Sequence, residues 1–228
     1  MRRTFVIAAL FLFSLVAGCQ GPQKQTAEEA YEVGMYWYQR ARYDRAFKKF
    51  TDALDLRPTY TEALLGLANA AREMGNEALL KKDRANGDRY HEYAKKALIE
   101  QIKKTPSDAR LSYGLGQLYY ERFSNIVAEF ASDERAIYQD AAITYFRKAV
   151  ELDPMNVYVN KYLGLLLIKR TKEDVPEGKR LLTKYLEDAR ASLAEMLKRK
   201  PRDEIELKYR EDLRNQIDDI AAILRDLP

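Results

Sequence analysis

Cysteine and histidine, the side chains that most often act as nucleophiles, general bases and metal ligands, are almost absent from this sequence. Its 228 residues include one cysteine, Cys19, and one histidine, His91. Such a set provides no catalytic triad and no cluster for a metal, and no glycine-rich phosphate loop is present. His91 is expected to face solvent or to pack, and Asp218 and Asp219 have the pattern of a solvated helix face. We therefore predict no enzymatic activity, no metal and no cofactor.

Composition and charge narrow the class of protein further. The chain is 46% hydrophobic and 32% charged, with only 10 glycines and 7 prolines, which favours long helices. Lysine and arginine number 39 against 35 acidic residues. Loss of residues 1–18 would remove Arg2 and Arg3 and leave 37 basic residues against 35. This interleaved, nearly neutral charge argues against nucleic acid as a partner, because phosphate binding needs a clustered basic excess.

The first nineteen residues, MRRTFVIAALFLFSLVAGC, have the layout of a secretory signal, with a basic start and a short apolar run. The run is too short for a transmembrane helix. VAGC at residues 16–19 resembles the lipobox of bacterial lipoproteins. The resemblance implies cleavage after residues 1–18 and acylation of Cys19, and two or more acyl chains suffice for stable membrane anchoring. The alternative is an ordinary signal peptide with a chance cysteine.

The residues after the cysteine bear on where such an anchor would be. Gln20 stands where lipoproteins kept at an inner membrane usually carry aspartate, so the resemblance favours an outer membrane, facing the periplasm. Residues 19–26 have no apolar periodicity and are interpreted as the lipidated cysteine and a tether. Seven extended residues reach at most about 25 Å, which keeps the folded part close to the bilayer.

A repeat with a period of about 48 residues runs through the rest of the chain. Prolines recur at Pro58, Pro106, Pro154 and Pro201. Small residues recur in two series: Gly34, Ala68, Gly116 and Gly164, and then Ala46, Ala94, Ala142 and Ala189. The pattern resembles the tetratricopeptide repeat (TPR), a unit of 34 residues that forms two antiparallel helices with small residues where they cross. Proline then ends the second helix of each unit.

The resemblance divides the chain into four units and a final helix. Residues 27–60 match the repeat without a gap, whereas units 61–108 and 109–156 are longer by fourteen residues, about two turns for each helix. Unit 157–203 breaks near Pro176, and residues 204–228 have the single apolar stripe of a capping helix. We predict an all-α, right-handed TPR-like solenoid of four helix pairs plus this capping helix.

Two turn positions follow from local signals in the longer units. Asn86-Gly87 in RANGD (84–88) predicts the hairpin turn of the second unit. In the third unit the turn is predicted near FASDE (130–134), where Ser132 or Asp133 could cap the next helix.

A partner is expected on the concave face, which the first helix of each pair lines in TPR proteins. The groove residues implied by the resemblance are Tyr31, Met35, Tyr38, Leu65, Asn69, Arg72, Tyr113, Gln117, Tyr120, Lys161 and Leu165. The alternative is that the tyrosines pack laterally on the next unit. The basic clamp with which some relatives hold a terminal carboxylate is not evident, since Tyr31 and Met35 occupy its positions. A mixed apolar and polar segment is therefore the expected ligand.

Two classes of function remain open from the sequence. The first is a lipid-anchored periplasmic scaffold that holds a protein or peptide of a cell-envelope assembly, and homo-oligomers are possible. The second is a small-molecule carrier or transporter accessory with a pocket near Tyr113, Tyr119, Tyr120 and Phe123. The basic cluster LKRKPRDE (197–204) is more typical of a solvated turn than of a lipid contact.

Overall fold

The computed structural model describes residues 25–124 and 132–227, and within these ranges it contains nine helices and no strand. The helices are α1 (Ala27–Tyr38), α2 (Tyr43–Leu56), α3 (Thr61–Leu80), α4 (Arg84–Lys104), α5 (Ala109–Ser124), α6 (Ser132–Leu152), α7 (Val157–Leu167), α8 (Val175–Leu197) and α9 (Glu204–Asp226). The predicted all-α class is confirmed.

Local hydrogen bonds explain where several helices begin. Thr26 and Glu29 form a capping box at α1, in which each side chain accepts from the other residue's backbone N–H. The carboxylate of Asp203 accepts from the backbone N–H of Glu206 at 2.7 Å and starts α9. Pro176 lies in the first turn of α8, where a backbone N–H has no partner within the helix, so the missing N–H of proline removes no hydrogen bond.

The helices stack as antiparallel pairs in two layers that differ in spacing. Consecutive first helices (α1, α3, α5, α7) approach within 8 Å between Cα atoms, whereas no two second helices in the described ranges do so. The second helices meet through side chains instead, such as the rings of Phe47 and Tyr93 at 5.3 Å. The closer inner layer curves the solenoid, so the first helices line its concave face.

Glycines at the helix crossings allow large side chains to fill the core. A Cβ atom at Gly34 would lie 2.6 Å from the ring of Phe50, and one at Gly66 would lie 2.7 Å from the same ring. Phe50 is fully buried and so joins α1, α2 and α3. The ring of Phe146 packs against Gly116 in the same way, and the side chain of Leu182 packs against Gly164. Close helix approach at small residues therefore organises each unit.

The turn between α3 and α4 lies earlier than the Asn-Gly signal predicted. The prediction of a turn at residues 84–88 was wrong, because α4 already begins at Arg84. Lys82 adopts a left-handed conformation, with φ of 61°, and Asp83 caps α4 by accepting from the backbone N–H of Asn86. Gly87 is instead buried inside α4, where a Cβ atom would approach the carbonyl oxygen of Gly75 to 3.2 Å. The glycine thus serves helix packing and not the turn.

The other predicted turn is only partly within the described residues. Helix α6 begins at Ser132, whereas residues 125–131 and the side chains of Ser132 and Asp133 lie outside the description. The capping role of these two side chains stays a prediction. At the end of the chain, α9 buries Leu213, Ile217 and Ile220 against α8.

Candidate functional site

A buried charged cluster occupies the middle of the concave face, at the junction of α3 and α5. Arg72, with 10% of its side chain exposed, donates from Nη2 to Oε1 of Glu73 at 2.5 Å. Its Nε lies 3.4 Å from Oε1 of Glu121 on α5. Two carboxylates therefore share one guanidinium, and the cluster has one more acidic group than basic groups. We call these three residues the central cluster.

Burial and the neighbouring side chains act in opposite directions on the ionisation of Glu121 in the central cluster. Burial raises the pKa of Glu121 above its ordinary value, because it disfavours the charged carboxylate. The charge of Arg72 and a hydrogen bond from Nδ2 of Asn76 to Oε2, at 2.5 Å, both oppose that rise. Arg72 and Asn76 lie one turn apart on α3, so a single helix face holds Glu121.

His91 on α4 continues this network away from the groove. Its Nδ1 lies 3.2 Å from Nη1 of Arg122, which can only donate, so Nε2 carries the proton and donates to Oδ1 of Asn76 at 3.0 Å. Burial and the guanidinium of Arg122 lower the pKa of His91 to about 4. His91 is therefore neutral and buried, so of the two roles left open by the sequence the structure supports packing.

Arg122 on α5 completes the link between the second and third units. Its Nη2 donates to Oδ1 of Asp88 on α4 at 2.6 Å, and its guanidinium lies 5.3 Å from the ring centre of Tyr138 on α6. Polar contacts thus run without a gap from the groove to the outer helices. The two elongated units are joined by specific hydrogen bonds as well as by apolar packing.

The predicted groove tyrosines differ in how much surface they offer. The ring of Tyr113 lies 6.0 Å from that of Phe146 and 6.2 Å from that of Tyr162, and Tyr120 packs edge-on against Tyr162 at 4.9 Å. Burial raises the pKa of Tyr120 to about 12, so its hydroxyl stays protonated. Both rings pack laterally on α7, which is the alternative that the sequence left open. Tyr38 instead reaches the central cluster, with its hydroxyl 3.5 Å from Glu73.

The remaining predicted residues of the first three units line the same face. Tyr31 packs between Phe50 and Tyr60, with ring centres 5.7 and 5.3 Å away. The other four are half-buried on the first helices: Met35, Leu65, Asn69 and Gln117. Tyr38, Leu65 and Asn69 lie beside the central cluster. The role of the whole predicted set in binding a partner stays a prediction.

The fourth unit does not extend the open groove, because α9 covers it. Leu165 has only 9% of its surface exposed and packs in the core with α8 and α9. Nζ of Lys161 donates to Oε1 of Gln216 on α9 at 2.7 Å. The placement of Lys161 and Leu165 in an open groove is therefore corrected, because side chains of α8 and α9 cover these two residues.

Two residues of the site were missed by the sequence reasoning. Asn76 lies in the added turns of α3, beyond the part that a 34-residue template describes, although its position four residues after Arg72 marks the same helix face. Tyr162 follows Lys161 on α7 and stacks on Phe146 with ring centres 5.7 Å apart. No local signal distinguishes it from the other tyrosines.

A cavity of about 600 Å³ lies outside the groove, between α4, α5 and α6. Its lining includes Arg84, Asp88, Glu92, Lys95 and Arg122 beside Tyr119, so it is mostly charged. It does not resemble the apolar pocket that a small-molecule carrier requires. Among the described residues, no group of His, Cys, Asp and Glu has the arrangement of a metal site. No helix in that part of the chain combines the length and apolarity needed to span a bilayer.

The chain is similar to known proteins in its fold. The chain matches no protein-family model and no curated protein sequence. Among solved structures, it is similar to TTC0263, a thermophilic TPR protein of Thermus thermophilus, with 19% identity and a TM-score of 0.56. That match covers 86% of this chain and 100% of the other. MamA 41-end from Desulfovibrio magneticus RS-1 matches with 24% identity and a TM-score of 0.48, over 74% of this chain and 78% of that one. The stacked hairpins and the TTC0263 match together show a TPR-type solenoid.

Proposed function

We propose that the chain is a lipid-anchored scaffold, held at a bacterial outer membrane through Cys19, that binds a segment of a cell-envelope protein in its concave groove. The observation that carries the groove assignment is that half-buried Tyr38 and Asn69 lie beside the central cluster, which α3 and α5 share. They lie on rigid helices and not on loops, so the surface is pre-organised for a partner. TPR-type folds also use this face for binding.

The chemistry of the open face suits an extended peptide. Asn69 on α3 and Gln117 on α5 carry amides, which can both donate to and accept from a peptide backbone. Tyr38 adds an aromatic ring with a polar tip, a type of side chain that is enriched in binding sites. Glu73, one quarter exposed, provides a carboxylate at the centre of the face. The partner is therefore a mixed apolar and polar segment.

Photo-crosslinking in living cells tests this proposal. A photoreactive residue in place of Asn69 or Gln117 should give a discrete protein adduct that mass spectrometry identifies. Tyr113 is a poorer position for the probe, because it packs against Phe146 and Tyr162. The control is the same probe at Asp218, which is exposed on α9. Equal adducts from the groove and from Asp218, or none from either groove position, would contradict the proposed partner site.

The proposed lipid anchor at Cys19 leads to a separate prediction. Cys19→Ala removes the only sulfur in the chain that could be acylated in a lipobox. We expect the variant to accumulate uncleaved or to leave the membrane fraction, since the acyl chains supply the membrane affinity. Fractionation followed by intact-mass measurement checks both outcomes. Retention of a processed Cys19→Ala chain in the membrane fraction would exclude lipidation as the cause of anchoring.

A further inference from the structure

The antiparallel stacking places all inter-unit turns at one edge of the solenoid. The turns at residues 57–60, 105–108, 153–156 and 198–203 each follow a second helix, so they lie on the same side as the start of α1. The hairpin turns within the units lie on the opposite side. We call the first side the turn edge.

Exposed apolar side chains collect on the turn edge around α7, α8 and α9. Met155 is 81% exposed and Leu197 is 52% exposed, and three further apolar residues are open to solvent nearby: Leu152, Ile205 and Leu207. Exposed apolar residues on one edge mark a candidate interaction surface. Tyr158 and Tyr209, whose hydroxyls bond to each other, are also exposed there. Tyrosine rings of this kind are enriched at membrane interfaces.

The turn before α9 adds basic side chains beside this apolar group, of which Lys198 is paired with Glu195. Lys198, Arg199, Lys200 and Arg202 all lie in the turn before α9. One carboxylate, Glu206, accepts from Arg199, Arg202 and Arg210 together, so the three guanidiniums are only partly neutralised. Cationic side chains beside exposed apolar ones are the usual chemistry of attachment to an anionic lipid surface.

The proposed anchor enters the fold at the same edge. Thr26 caps α1 there and lies seven residues after Cys19. A fully extended stretch of that length reaches roughly 25 Å, so a lipid on Cys19 holds this edge near headgroups. We propose that the turn edge docks on an anionic bilayer, with Met155 and Leu197 at the lipid interface and the hairpin turns facing away. This inference rests on the proposed lipidation of Cys19.

Depth-dependent fluorescence quenching tests this orientation. The full-length lipoprotein is purified from membranes and reconstituted into vesicles of phosphatidylglycerol and phosphatidylethanolamine. Met155→Cys or Leu197→Cys is labelled with an environment-sensitive dye, which reacts only there because acylation consumes the sulfur of Cys19. The matched control is Leu80→Cys: Leu80 is 80% exposed, as Met155 is at 81%, but it lies at the opposite edge. Nitroxide-bearing lipids should quench the dyes at Met155 and Leu197 at least threefold more than the dye at Leu80.

A charge variant and neutral vesicles test the chemistry of the contact. Lys198→Ala combined with Lys200→Ala, or replacement of phosphatidylglycerol by phosphatidylcholine, should reduce quenching at Met155 by about half or more. Unchanged quenching in both would overturn the role of anionic lipid. Equal quenching at Met155 and Leu80 would overturn the orientation.

Other outcomes distinguish a failure of docking at the turn edge from a failure of the lipid anchor at Cys19. If the chain fails to float with vesicles, or if Cys19 itself takes up the dye, the anchor is absent and both proposals fall. If the chain floats and crosslinks its partner but shows equal quenching at the two edges, only the docking inference fails. A discrete protein adduct from a photoreactive residue at Met155 in living cells would indicate a protein or a second copy on this surface, and would overturn lipid docking.

Discussion

Phe50→Ala should lower the free energy of unfolding by about 3–5 kcal/mol, the usual cost of removing a fully buried aromatic ring. Phe50 is completely buried, and its ring fills the space that Gly34 on α1 and Gly66 on α3 leave open. Neither glycine has a side chain that could refill that space. The loss should therefore include a cavity term as well as the lost hydrophobic contact.

Urea denaturation followed by circular dichroism measures this loss. Leu80→Ala serves as the control, since Leu80 is largely exposed and its replacement should change stability by about 0.5 kcal/mol or less. Hydrogen exchange should show the weakened protection in α1 to α3, because stability in a solenoid is local to neighbouring units. A loss below about 1 kcal/mol for Phe50→Ala would mean that the glycine-lined space can collapse.

Arg72→Ala should cost about 3 kcal/mol at neutral pH, because removing one partner of a buried ion pair leaves a buried charge uncompensated. Without Arg72, the carboxylates of Glu73 and Glu121 would face each other with no cation between them. Arg147→Ala is the matched control. Arg147 pairs with Glu177 at 2.9 Å on the surface, where such pairs contribute about 0–1 kcal/mol.

The loss of unfolding free energy caused by Arg72→Ala should become smaller as the pH falls. Burial already raises the pKa of Glu121 in the folded state, and loss of the positive charge raises that pKa further. Folding of the variant therefore favours proton uptake, so its stability relative to the native chain rises towards acid pH and falls towards neutral pH. Denaturation curves at pH 7.5 and 5.5 for both chains check the sign. If the difference in unfolding free energy between the two chains stays the same at both pH values, Glu121 does not carry the uncompensated charge.

Much of the fold could be predicted because the repeat signals are local and periodic. Small residues such as Gly34 and Gly116 mark helix crossings, and repeated prolines such as Pro58 follow the ends of second helices. The prediction of a turn at Asn86-Gly87 was wrong because the actual turn uses Lys82 in a left-handed conformation. The backbone N–H of Lys82 donates to the carbonyl of Leu79, and that of Asp83 donates to the carbonyl of Ala78. Hydrogen bonds of this type stabilise the turn without a glycine.

The site was less predictable because its limits depend on contacts distant in sequence. A repeat template places Leu165 in the groove, but it does not show that α9 folds back over the fourth unit. Likewise, the link from Asn76 through His91 to Arg122 joins three helices of two units, and it forms only after the elongated hairpins stack. Residue spacing along one helix shows none of this.

The sharing of Phe50 between Gly34 and Gly66 has a mechanical consequence. The proposed tether enters α1, and a partner bound near Asn69 and Gln117 would be held by α3 and α5. A pull transmitted by the tether then passes through the first unit, whose backbone, within the described ranges, approaches the rest of the solenoid only at α3. Phe50 packs between α1, α2 and α3, so Phe50→Ala would also weaken the mechanical connection between the tether and the helices that hold the partner.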